Sequence, residues 1–314
     1  MTFSITFGAV AMLLLMSFVG FLLAKARVFS DSVTADLSKI LIYVCQPALA
    51  VYTFMSSEYS TKKLVDIGIF TLLVLLIHLI IMGGAYLVLR KKHENPIYRI
   101  MTVATTMGNC SFFGIPIIEA LFPDVSDELI IYTVVYAVVM NIIGWTLGSA
   151  IIAQNTKYIS IKKMLTNPAL LGAVVALVLF VTQAPIKEAE SLFSMITISA
   201  KMATPLSMIV MGIRLSKIKF SEMFGDYRIY ITVFVKQIIM PLVAFLIVLI
   251  FKTDVWLSSC FFIISACPAA SVVLNYSEIV GAGQKEAAST VLVSTILSII
   301  TLPIITLMLP LIAW

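Results

Sequence analysis

Charged residues are scarce in this sequence, and their scarcity excludes a water-soluble globular fold. Only 12% of the 314 residues are Asp, Glu, Lys or Arg, whereas 61% are hydrophobic, and the mean hydropathy is +1.09. A soluble domain contains about a quarter charged residues and about half apolar ones. Because a soluble fold of this length could not cover so much apolar surface, lipid has to surround much of the chain. The sequence therefore predicts an integral membrane protein.

Motifs for metal, nucleotide or nucleophile chemistry are also missing. The sequence has no zinc-ligand spacing, phosphate-binding loop or nucleophile motif, and its Asp residues lie in loops or at the ends of apolar runs. All four cysteines fall inside apolar runs, where they behave as small hydrophobic residues rather than as a disulfide framework. These absences argue against an enzyme and against coupling to ATP hydrolysis, and they predict no bound metal or organic cofactor.

Apolar runs of membrane-spanning length fill nearly the whole chain. A helix that crosses a bilayer needs about 20 mostly apolar residues, and ten such helices with short connections account for all 314 residues. The sequence therefore predicts an all-α polytopic membrane protein without a separate soluble domain. The ten predicted spans are 5–24, 33–56, 66–90, 98–121, 127–153, 167–183, 191–213, 227–251, 255–278 and 286–312.

Basic residues are distributed unevenly between the predicted loops, and cytoplasmic loops are the ones that carry an excess of Lys and Arg. The loops after spans 1, 3, 5, 7 and 9 contain Lys25, Arg27, Arg90, Lys91, Lys92, Arg99, Lys157, Lys162, Lys163, Arg214, Lys217, Lys219, Arg228 and Lys285. The loops after spans 2, 4, 6 and 8 contain only Lys62, Lys63, Lys187 and Lys252. We therefore expect a multi-pass protein of the cell membrane whose odd-numbered loops are cytoplasmic and whose termini both lie outside.

Similar residues recur in the two halves of the sequence at a nearly constant separation. Four residue pairs inside predicted spans lie 158 or 159 positions apart: Pro47 with Pro205, Asn109 with Pro268, Pro116 with Asn275, and Glu119 with Glu278. Each half contains five predicted spans, an odd number, so the second half would enter the membrane upside down relative to the first. This pattern predicts two inverted five-helix repeats, 1–157 and 158–314, an arrangement that many secondary transporters share.

Predicted spans 4 and 9 contain helix-breaking residues near their middles. Gly108, Gly114 and Pro116 lie in span 4, and Pro268 lies in span 9; a proline inside a helix removes a backbone donor and clashes with the preceding turn. We therefore expect both helices to be broken and to cross one another. The N-termini of the half-helices would then point at the membrane midplane, where their partial positive charge and free N–H groups suit an anion.

The ten-span layout, the GNCSFFGIP run of span 4 and the proline-containing span 9 resemble the auxin efflux carrier family of membrane transporters. Over the whole chain, the resemblance is closest to short bacterial members described as malate or malonate permeases. It implies a scaffold of spans 1, 2, 6 and 7 that forms a homodimer. It also implies a moving transport domain of spans 3–5 and 8–10, as in elevator transporters. The family motif corresponds to Asn109, Pro116, Pro268 and Asn275.

Ionisable and amide side chains inside the spans complete the candidate site, because charges in a bilayer are expensive and usually functional or paired. No acid lies at the depth of Lys236, so an anionic substrate is its simplest counter-ion; snorkelling toward the cytoplasm is the alternative. The predicted substrate-binding residues are Asn109, Cys110, Pro116, Asn141, Lys236, Pro268 and Asn275. The predicted ion-coupling or gating residues are His78, Glu119 and Glu278. For His78 the alternative is a packing role, and for the two glutamates it is capping at the membrane interface.

These observations predict secondary transport of a small organic anion, a mono- or dicarboxylate, by alternating access. The coupling ion would be H⁺ or Na⁺, as in a symporter. The alternative is a membrane ligand sensor, built on a transporter scaffold, that binds the same anion without turnover. A channel is a further alternative, but one central site between broken helices fits alternating access better. Apart from the anion, membrane lipid and a second copy of the chain, we expect no partner, and in particular no nucleic acid.

Overall fold

The computed structural model describes residues 2–30, 32–158, 165–217, 225–281 and 283–312. Within these ranges the chain forms helices joined by short connections, and its only β-type pairing there is one isolated bridge. The predicted all-α class is therefore confirmed. Lys162, Lys163 and Lys219, which contributed to the predicted orientation, lie outside the described residues.

The helices are numbered here in chain order. They are α1 (Thr2–Lys25), α2 (Val33–Ile40), α3 (Gln46–Ser56), α4 (Thr61–Leu89), α5 (Pro96–Ala104), α6 (Gly114–Leu121), α7 (Ser126–Ile143), α8 (Ser149–Ala153), α9 (Pro168–Val181), α10 (Glu190–Lys201), α11 (Ala203–Ser216), α12 (Tyr227–Phe234), α13 (Met240–Phe251), α14 (Val255–Ala266), α15 (Val272–Val280) and α16 (Gln284–Thr306). Single π-helical turns join α2 to α3, α7 to α8 and α12 to α13: Leu41–Cys45, Gly144–Gly148 and Val235–Ile239.

Seven helical segments among the described residues are long and apolar enough to cross a membrane. They are Thr2–Lys25, Val33–Ser56, Thr61–Lys92, Ser126–Ala153, Glu190–Ser216, Tyr227–Phe251 and Gln284–Leu311. These segments coincide with predicted spans 1, 2, 3, 5, 7, 8 and 10. Helices α9 and α14 are apolar but shorter, and they coincide with span 6 and the first part of span 9. The total of ten spans stays a prediction.

Several helices begin where the sequence supplies a side-chain cap. The side chains of Asn95 and Asn167 accept hydrogen bonds from backbone N–H groups two residues later, and a proline follows each of them at the first helical position. Asp226 and Asp254 cap α12 and α14 in the same way. Such caps satisfy N–H groups that have no partner within the helix, and proline loses nothing at that position.

Predicted spans 4 and 9 are both interrupted. An irregular stretch, 105–113, separates α5 from α6, and a shorter one, 267–271, separates α14 from α15. Pro268 lies within the second stretch, as expected of a helix breaker. Pro116 instead lies in the first turn of α6, where its missing N–H needs no partner. The interruption of span 4 therefore precedes its proline.

Glycines allow unusually close helix packing in one part of the structure. A Cβ atom added at Gly20 of α1 or at Gly212 of α11 would collide with the backbone of the other helix. A Cβ at Gly172 of α9 would likewise collide with Pro47 of α3. Small residues let helix backbones approach closely in membrane proteins. Helix α1 therefore packs tightly against α11, and α3 packs tightly against α9.

Candidate functional site

The two irregular stretches meet in a short antiparallel contact. Gly108 and Ala269 form the isolated bridge. The N–H of Asn109 donates to the carbonyl oxygen of Pro268 at 2.7 Å, and the N–H of Ala270 donates to that of Met107 at 2.9 Å. These bonds satisfy backbone groups that the interrupted helices leave without partners, which a membrane interior requires. The contact also holds the N-terminal ends of α6 and α15 in a fixed relation.

A cavity of about 360 Å³ lies beside this contact. Its lining includes four of the predicted site residues: Asn109, Cys110, Asn141 and Asn275. Residues 108–112 line it from one irregular stretch, 270 and 271 from the other, and Val272 from the start of α15. No Asp or Glu is among its lining residues in the described part of the chain. A cavity that contains amides and the start of a helix but no carboxylate is suited to an anion.

The amides of Asn109 and Asn275 both reach this cavity and are only partly buried. Within the described residues, neither side chain has a hydrogen-bond partner, whereas Asn141 donates from its amide to the Ala137 carbonyl at 2.8 Å. An amide offers two donors and an acceptor. Asn109 and Asn275 therefore keep their full hydrogen-bonding capacity for a ligand, and Asn141 keeps part of its own.

Lys236 does not line the cavity. Its side chain is fully buried, and its ammonium donates to the carbonyl oxygen of Ser265 at 2.7 Å. That carbonyl lies in the last turn of α14, where carbonyls lack partners within the helix and the dipole favours a cation. A Cβ placed on Gly108 would lie 3.2 Å from the Lys236 Nζ atom. The ammonium thus lies close to Gly108, which lines the cavity, and it is buried within the protein rather than snorkelling.

His78 is also buried away from the cavity lining. Its Nδ1 atom lies 2.7 Å from the carbonyl oxygen of Val74, and its Nε2 atom has no hydrogen-bond partner. The ring packs against Tyr136 with centroids 5.3 Å apart. Because a carbonyl can only accept, Nδ1 carries the proton in this contact. The geometry is that of a packed histidine, and the predicted ion-coupling role stays a prediction.

The remaining predicted residues lie outside the cavity lining. Glu119 in α6 and Glu278 in α15 are exposed, and neither lines the cavity. Pro116 is buried in α6, and Pro268 contributes its carbonyl to the crossing rather than a surface to the cavity.

Arg214 and Trp145 are among the cavity-lining donors that the sequence interpretation did not name. Arg214, which the sequence assigned to a loop, lies in the last turn of α11 and lines the cavity, and its Nη1 atom is buried without a hydrogen-bond partner. Trp145 also lines the cavity, and its buried indole N–H has no partner. Extending span 7 by one helical turn would have drawn attention to Arg214. Nothing in the sequence distinguishes Trp145 from a lipid-facing aromatic.

A family model described as "Membrane transport protein" matches residues 5–306, nearly the whole chain. The chain belongs to this family. It is the family of the auxin efflux carriers, so the resemblance deduced from the GNCSFFGIP run is confirmed. No curated protein matches the chain. As a member of this family the protein is a multi-pass membrane transporter, and the bacterial permease branch stays a prediction.

Proposed function

We propose that the protein is a secondary active transporter that carries a small organic anion, a mono- or dicarboxylate, by alternating access. The observation that carries this proposal is the cavity beside the crossing. Its lining combines two unpartnered asparagine amides, the first residue of α15, and the unpaired donors of Trp145 and Arg214. Donors in a lining that contains no carboxylate are complementary to a carboxylate ligand.

The crossing contact supports the inverted repeat of 1–157 and 158–314. In the antiparallel register, Asn109 is opposite Pro268, and these two residues are the pair that the offset of 159 equates. A two-fold axis between the repeats would pass through that pair. Lys236 and Ser265, which share a hydrogen bond, are equivalent by the same offsets to His78 and Thr106. The buried side chains of His78 and Lys236 would then occupy matching positions behind the two crossing segments.

The packing supports a division into a scaffold of spans 1, 2, 6 and 7 and a transport domain of spans 3–5 and 8–10. Backbone-to-backbone packing joins α1 to α11 and α3 to α9, all within the proposed scaffold. Ion pairs join the proposed transport helices: Lys62 to Asp254 at 3.3 Å and Lys63 to Glu128 at 3.0 Å. An elevator movement would carry the crossing past the scaffold as one body, and the scaffold would form the homodimer.

The cavity lining supports a cytoplasm-facing state. Asn167 at the start of α9 and Arg214 in the last turn of α11 line the cavity from helix ends that adjoin basic loops. Toward the other side the proposed domains touch, since the Ser57 hydroxyl donates to the Asp127 carbonyl at 3.3 Å. In this arrangement a substrate would reach the crossing from the cytoplasm. A coupling ion, H⁺ or Na⁺, would drive the transport cycle.

The test is counterflow in proteoliposomes with a panel of labelled carboxylates: acetate, benzoate, malonate, succinate and malate. We expect at least one of them to accumulate transiently against an excess of the same unlabelled compound inside, because alternating access exchanges substrate across the membrane. Binding without counterflow would favour the sensor, which nothing in the family match supports. Absence of both binding and counterflow across the panel would contradict the proposal for carboxylates.

The proposed topology predicts opposite labelling at two single cysteines. In a background without Cys45, Cys110, Cys260 and Cys267, all of them buried, a cysteine at exposed Lys157 should react with a membrane-impermeant maleimide only from the cytoplasm. A cysteine at exposed Asp124 should react only from outside. Labelling in intact and inside-out vesicles measures both. The reverse pattern would contradict the orientation with both termini outside.

A further inference from the structure

Arg214 lines the cavity and has no ion-pair partner among the described residues. Its Nη1 atom is buried without a hydrogen bond, and Nη2 reaches the Ser38 hydroxyl only at 3.5 Å. Within the described residues Arg214 forms no ion pair under 4.0 Å, although it interacts electrostatically with Glu278 on α15. Arginine buried in this way is normally paired, because a buried charge without a partner is costly.

The position of Arg214 joins two cavities. It lines the crossing cavity together with Asn109 and Asn275, and it also lines a neighbouring cavity of about 400 Å³ between α11, α15 and α16. Lys217 and Lys285 line that second cavity. The two cavities thus share Arg214, and three basic residues contribute to their linings. Basic side chains near a site attract an anion toward it.

We propose that Arg214 binds the carboxylate of the substrate from the scaffold side of the cavity, opposite the asparagines of the crossing. This inference rests on the proposed function and identifies the cation that recognises the anion. The guanidinium fork can donate two parallel hydrogen bonds to one carboxylate, which the ammonium of a lysine cannot reproduce. Arg214 is carried by α11 of the proposed scaffold, whereas the asparagines are carried by the crossing. Movement of the crossing would therefore separate the two halves of the site and release the anion.

Binding measurements on Arg214→Gln and Arg214→Lys test this assignment. With purified full-length protein and malonate as the probe, we expect Arg214→Gln to raise Kd by about 10- to 100-fold, the range for a charge-assisted hydrogen bond. Arg214→Lys should raise Kd less than Arg214→Gln does, but it should not reach the wild-type value. The matched control is Arg228→Gln, because Arg228 is held by Asp226 at 2.8 Å and does not line the cavity; its Kd should stay unchanged. If wild-type protein does not bind malonate, the probe is instead the carboxylate of the transport panel that it binds most tightly.

Chemical protection gives a readout that a merely structural arginine would not produce. Malonate should slow the modification of Arg214 by phenylglyoxal, followed by peptide mass spectrometry, and should leave the rate at Arg228 unchanged. Equal rates at Arg214 with and without malonate, or an unchanged Kd in a folded Arg214→Gln variant, would overturn this inference while leaving the proposed function intact. Failure of the wild-type protein to bind any carboxylate of the panel would instead contradict the proposed function itself.

Discussion

Asn109→Asp and Asn275→Asp should each abolish transport while the protein still inserts and purifies as a folded species. Both amides reach the crossing cavity, and neither has a hydrogen-bond partner among the described residues. Asp keeps the shape of Asn but replaces two donors with a negative charge. The substrate then loses a hydrogen bond and meets a like charge, which costs about 4 kcal/mol at 4 Å in an effective dielectric of 20. We expect binding to weaken by at least about 100-fold.

The alanine variants distinguish binding from structure. Asn109→Ala and Asn275→Ala lose the contact without adding repulsion, so each should weaken binding less than the matching Asp variant. If the amides only held the crossing together, the Ala variants would be at least as harmful as the Asp variants. Transport activity would then fall in proportion to the amount of folded protein. Substrate Kd and Tm measured on the same four variants decide between these orders. A stable Asp variant that binds the carboxylate normally would remove the crossing from the proposed site.

Some features of this fold could be predicted because they depend on local backbone chemistry. The seven long apolar helices follow from composition, since a bilayer demands continuous internal hydrogen bonding. The interruption of span 9 follows from Pro268. The interruption of span 4 was predicted for a partly wrong reason, because Pro116 lies in the first turn of α6 rather than at the end of α5. The irregular stretch before α6, which contains Gly108, is where the chain leaves the helix.

Other features depend on contacts that residue types do not specify. The partner of Lys236 is the backbone carbonyl of Ser265, and any residue at that position would supply the same oxygen. Arg214 was assigned to a loop because a charge commonly marks the end of an apolar run, whereas α11 continues to Ser216. The unpaired donor of Trp145 depends on how the π-helical turn after α7 packs on α15, since its ring meets Tyr276 edge-on. Sequence patterns therefore predicted the asparagines that line the cavity and missed the arginine that lines it.

Lys236→Met should weaken carboxylate binding even though Lys236 does not contact the cavity. Its ammonium has one neutral partner, the Ser265 carbonyl, and no ion pair among the described residues. An anion beside Gly108 would be separated from the ammonium by little more than the backbone of that residue. At about twice the distance of a direct pair, the attraction is about 2 kcal/mol in an effective dielectric of 20. We therefore expect Kd to rise by about 10- to 50-fold.

Salt dependence separates this buried charge from a surface effect. Methionine fills a similar volume and removes the cost of burying a charge, but it leaves the Ser265 carbonyl unpaired, which costs about 1–3 kcal/mol. Because ions do not screen a buried charge, the loss of affinity in Lys236→Met should be the same at about 0.05 and 0.5 M salt. Lys62→Met is the matched control: Lys62 is exposed and pairs with Asp66 at 3.0 Å, so its Kd should not change. A folded Lys236→Met protein with lower Tm and unaltered Kd would assign Lys236 solely to holding the end of α14.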